Sequence, residues 1–154
     1  MSILNNRSVI NISAHIASIL FILVIIIQLL LAAGIFPVTM VWGGKHTVLT
    51  PGLRIASIIS AIILGAFIFV IRKRAGVWGS KKSTMTIKII SWFITAYMGL
   101  NTILNLMSQS TAEKVIFTPI TAILFIVCFI VSASKTQKNL SKIQNMRFGT
   151  FLKT

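Results

Sequence analysis

One side-chain acid and two histidines are all that this chain of 154 residues offers for proton transfer near neutral pH. Glu113 is the only carboxylate side chain among fifteen Lys and Arg, and the histidines are His15 and His46. A lone carboxylate excludes hydrolysis by a pair of acids, in which one group donates a proton and the other attacks or activates water. His46 and Glu113 together would hold zinc one ligand short of the usual three protein ligands of a catalytic centre. The single thiol, Cys128, lies in an apolar run with no second cysteine and no metal-ligand spacing around it, so it reads as a small packing residue. His15 and His46 flank the first apolar run, which would put them near opposite faces of a hydrocarbon core about 30 Å thick. One chain could not offer both to one haem. No catalytic residue, metal or cofactor is expected.

The polar groups that remain fall into two sets. Trp42-Gly43-Gly44-Lys45-His46 lies in Phe36 to Arg54, the longest non-hydrophobic passage between two apolar runs. Arg54 stands at the entry of the second run. A guanidinium there can hold a carboxylate through two parallel hydrogen bonds, so an Arg54–Glu113 pair is expected, either clamping two loops or positioning His46 or an anionic ligand. Trp42 suits the head-group level, and its two glycines permit unusual backbone angles, although a bare Gly-Gly is a weak phosphate signal. The second set is Tyr97, Asn101, Asn105 and Ser108, spaced four, four and three apart and therefore on one helix face. An amide left unpaired at membrane depth costs several kcal/mol. These residues must bond neighbouring helices or line a polar pocket opening outward.

The elements that position these groups are apolar helices. The chain is 56% hydrophobic and 10% charged, with a mean hydropathy of +0.95, too little polar surface for water. Four runs, about 16–36, 53–71, 87–107 and 115–133, have the roughly 20 residues that cross a bilayer. The first is longer than the 7–15 residue core of a signal peptide and no lipobox cysteine follows it, so an uncleaved span is expected. Pro51 and Gly52 open the second span, where Ser57, Ala61 and Gly65 put small residues on one face for close helix approach. Trp92 is near the entry of the third span, and Pro119 is expected in the first turn of the fourth.

Charge sets the expected orientation. With the N-terminus inside, twelve basic residues are cytoplasmic (Arg7, Arg72, Lys73, Arg74, Lys81, Lys82, Lys88, Lys135, Lys138, Lys142, Arg147, Lys153), against Lys45, Arg54 and Lys114 outside. The expectation is an all-α polytopic membrane protein, a four-helix up-down bundle with both termini cytoplasmic, in a bacterial cytoplasmic membrane. Residues 135–154 form a basic cytoplasmic tail in which Lys135, Lys138 and Lys142 oppose Leu140, Ile143 and Phe151, as in a surface-lying helix. The net charge of +14 would suggest nucleic acid in a soluble chain; here the basic residues adjoin apolar runs and suit anionic lipid head groups instead.

The set Trp42-Gly43-Gly44-x-His46, Leu49-x-Pro51-x-Leu53-Arg54-x-x-Ser57 and Leu100-Asn101-x-x-x-Asn105-x-x-Ser108-x-Ser110-x-x-Glu113, followed by Pro119, resembles a group of small, uncharacterised four-span bacterial membrane proteins. The resemblance implies the four-helix fold, and that Trp42, His46, Arg54, Asn101, Asn105, Ser108 and Glu113 belong to one outer cluster, to which the helix spacing adds Tyr97. It names no activity. The expected function is non-enzymatic: an accessory or partner-binding module, homo-oligomeric or joined to a partner membrane protein. The alternative is a small transporter or channel lined by helix three, and the third an outer-face enzyme using His46 and Glu113. A path would need polar lining through the inner half, where only Gln28, Ser91, Thr95 and Ser132 are available.

Overall fold

The computed structural model describes residues 6–78 and 84–134, and among these residues every regular element is helical. Four helices, α1 (Arg7–Ala33), α2 (Pro51–Ala75), α3 (Met85–Met107) and α4 (Glu113–Ala133), are each long and apolar enough to cross a membrane. The basic tail and its expected surface helix lie outside the described residues.

Local chemistry sets the helix ends. Asn6 caps α1 by accepting the Ser8 N–H at 3.0 Å, which starts the helix nine residues ahead of the apolar run. Residues 7–15, ahead of that run, are helical with Ile10, Ser13 and Ala14 turned inward and buried. α1 stops at Gly34, whose φ of +83° suits a residue without Cβ. Thr50 caps α2 by accepting the Leu53 N–H, with Pro51 in the first turn. α2 continues past residue 71, so Arg72, Lys73 and Arg74 form its last turn, not the loop beyond it.

α4 departs from expectation at its start. Pro119 falls in the first turn of the regular α-helix, Thr118–Ala133, but a wider helical turn runs ahead of it from Glu113. Its ring cannot coexist with a close carbonyl four residues earlier, and the chain widens over Glu113–Phe117. There the Thr118 N–H reaches the Glu113 carbonyl, five residues back, and the Thr118 hydroxyl donates to the same oxygen at 3.1 Å.

α1 packs chiefly on α2 and α3 on α4, with further contacts joining α1 to α4 and α2 to α3. Ala14, Ala17, Phe21, Ile71, Ile94, Leu124, Cys128 and Val131 build one core. A second, smaller core of Leu31, Val38, Val41 and Phe117 seats the α1–α2 loop against the start of α4. Buried hydroxyls bond back to their own helices, Ser57 to the Leu53 carbonyl and Ser18 to that of Ala14, so no bare hydroxyl faces the apolar interior there. The small-residue row of α2 divides: Ser57 and Ala61 are buried, but Gly65 is exposed with open space around it. The close approach is made by Gly99 of α3 instead, where a Cβ would lie 3.2 Å from the Phe125 ring of α4.

Candidate functional site

The site grows from a capping sequence. Ser110 precedes the first helical residue of the α4 segment, and its Oγ accepts the Glu113 N–H at 3.4 Å. Ser and Glu three residues apart form a capping box when the glutamate returns to the serine N–H. Here Ser108 Oγ takes that N–H at 2.9 Å, and the glutamate is free to go elsewhere. Its two carboxylate oxygens both accept the backbone N–H of Gly43, at 3.2 and 3.1 Å, across 70 residues of sequence.

The α1–α2 loop is shaped to receive it. Trp42, Gly43 and Gly44 all have positive φ, at 57°, 77° and 70°, a left-handed run that glycine tolerates and tryptophan rarely adopts. The Gly43 carbonyl accepts the Gln109 N–H at 3.3 Å, so the Gly43 amide groups on both sides are held by the α3–α4 segment. Ser110 Oγ also donates to the Met40 carbonyl at 3.1 Å. A Cβ on Gly44 would stand 2.9 Å from the Ser110 nitrogen. Glu113 itself is 8% exposed, so these bonds are shielded from water.

Arg54 and Glu113, expected as a pair, have separate partners. Arg54 Nη1 donates to the Ala32 carbonyl at 3.3 Å, at the C-terminal end of α1, where a cation complements the unpaired carbonyls. Glu113 takes a backbone amide. The cluster expected on the outer face is similarly divided: Ser108 and Glu113 meet at Gly43, next to Trp42 in the chain, while His46 is an exposed loop residue. Tyr97 sets its ring edge on Phe67 of α2, 5.8 Å between centroids. Asn101 turns back to the Tyr97 carbonyl at 3.2 Å, and Asn105 crosses to the Thr121 hydroxyl of α4 at 3.3 Å. Asn105 thus bonds a neighbouring helix; Asn101 does not.

Sequence reasoning missed the Gly43 amide, Ser110 and Arg74. The Ser-x-x-Glu spacing signals the cap, yet no residue type announces a backbone N–H as the carboxylate's target. Arg74, at 5% exposure, donates from Nη2 to the carbonyls of Ser132 and Ser134 at the end of α4. It fills orphan acceptors that a helix C-terminus always leaves. Thr95 and Ser132 share a hydrogen bond of 3.0 Å beside it. No family model, curated protein or solved structure matches the chain.

Proposed function

We propose that the protein is a non-enzymatic integral membrane module whose α1–α2 loop binds a partner or ligand carrying negative charge. The observation that carries this reading is the destination of the only acid: with both Glu113 oxygens bonded to Gly43, the surrounding Lys45, His46, Arg54 and Lys114 are all exposed and cationic or protonatable. The latch fixes the loop, and a fixed loop loses less entropy on binding.

In this reading the four helices run alternately up and down, both termini are cytoplasmic, and the membrane is a bacterial plasma membrane. The twelve-to-three division of basic residues supports it. So do the meeting of the α1–α2 loop with the α3–α4 segment and that of the α2 and α4 C-terminal ends. The occupant of the loop is a partner membrane protein that presents acidic groups at that face, since a second copy would bring a net charge of +14 and no free carboxylate side chain.

A photocrosslinker at Thr47, in intact cells, tests the reading. A discrete adduct weakened by Lys45→Gln with Lys114→Gln supports it, and no adduct from a folded, membrane-inserted protein overturns it. Solute flux through proteoliposomes abolished by Asn101→Leu would replace it with transport.

A further inference from the structure

The end of the molecule opposite Gly43 carries positive charge that no side-chain carboxylate of the chain can neutralise, because Glu113, the only one, is committed to Gly43. Arg72, Lys73 and Arg74 close α2 there. Their surroundings differ. Arg74 faces inward and meets the end of α4, whose dipole offsets a cation. Lys73 is exposed and extends over the Phe69 ring at 5.3 Å. Arg72 is half-buried against two neutral neighbours: its Nη1 touches Ser18 Oγ at 3.4 Å and its guanidinium carbon lies 4.9 Å from the centre of the Trp78 ring; its Nε, like that of Arg74, is buried without a hydrogen-bond partner among the described residues.

A guanidinium presents five N–H donors in a fixed fork, and one long bond to a hydroxyl leaves most of them unused. Stacking on an indole stiffens the fork without supplying an acceptor. Trp78 is itself 49% exposed, three residues past the end of a membrane-length helix, where an indole takes its place among lipid head groups. The anion present at that depth is a lipid phosphate, which a guanidinium binds through paired N–H groups.

We propose that Arg72, backed by Trp78 and Ser18, forms a seat for the phosphodiester of one anionic glycerophospholipid. This sharpens a general attraction of the basic end for anionic lipid into a site with named donors. It rests on membrane insertion of the chain but not on the loop reading above, which its failure would leave untouched.

The test uses the full chain in lipid nanodiscs, with Trp42→Phe and Trp92→Phe leaving Trp78 as the single indole of the three. Trp78 fluorescence is quenched with bromine-labelled phosphatidylglycerol or phosphatidylcholine at matched mole fractions. The anionic lipid is expected to be preferred about fivefold, the worth of one arginine at an anionic surface. Arg72→Gln should remove that preference and Lys73→Gln should keep it. Arg72→Lys, which retains charge but not the fork, should fall below the parent and serves if Arg72→Gln fails to fold. Equal quenching by both lipids overturns the seat, as do equal losses in Arg72→Gln and Lys73→Gln, which would mean diffuse attraction. Loss of the preference on adding soluble glycerol phosphate would assign the donors to a free phosphate and overturn the lipid assignment.

Discussion

Gly44 and Ser110 touch backbone to backbone, with only 2.9 Å between the place of a Cβ on residue 44 and the Ser110 nitrogen. Residue 44 also has a φ of +70°. Gly44→Ala therefore meets two penalties, the left-handed backbone alone costing about 1–2 kcal/mol. Thermal unfolding in detergent should show a clear drop. Gly65→Ala, with nothing near its Cβ and a helix-interior position, should be neutral or gain up to about 1 kcal/mol.

Glu113 acts through an acceptor, not through pairing with a cation. Glu113→Ala removes a charge-assisted bond to a shielded amide and should lower stability by about 2 kcal/mol; Glu113→Gln retains an acceptor oxygen and should lose about half as much. Equal losses in equilibrium unfolding would contradict the latch.

Arg54 and Glu113 should behave independently. The first bonds Ala32 and the second Gly43, so the double mutant Arg54→Ala with Glu113→Ala should equal the sum of the singles within about 0.5 kcal/mol. A larger coupling would restore the ion pair that charge alone suggests.

Arg74→Met keeps the side-chain stem while stripping the donors from the end of α4. The Ser132 and Ser134 carbonyls then lose their partner, at a cost of about 2 kcal/mol. Lys73→Met, one residue away and exposed, should stay within about 0.5 kcal/mol. Unfolding of the two variants side by side separates a structural arginine from a merely basic neighbour.

The four apolar helices were legible because lipid demands about 20 consecutive apolar residues, a constraint that depends little on tertiary detail. Their ends were less so. Residues 7–15 fall ahead of the first apolar run, yet Asn6 caps a helix there and Ser13 and Ala14 are buried. At the site, the residues were visible and the bonds were not. Charge pointed Glu113 at Arg54, whereas the backbone, which composition does not display, offered Gly43. The Tyr97, Asn101 and Asn105 spacing placed three groups on one helix face, but one residue's choice between its own carbonyl and a neighbour's hydroxyl depends on fractions of an ångström.

The widened turn at Glu113–Phe117 has a consequence for insertions and deletions. It lodges one surplus residue in the helix, so everything before it is rotated by about 100° relative to an unbroken α-helix. Excising a single residue from Val115 or Ile116 would let the turn tighten, but would swing the carboxylate away from the loop it holds. An apparent imperfection of the helix is thus what aims its only acid.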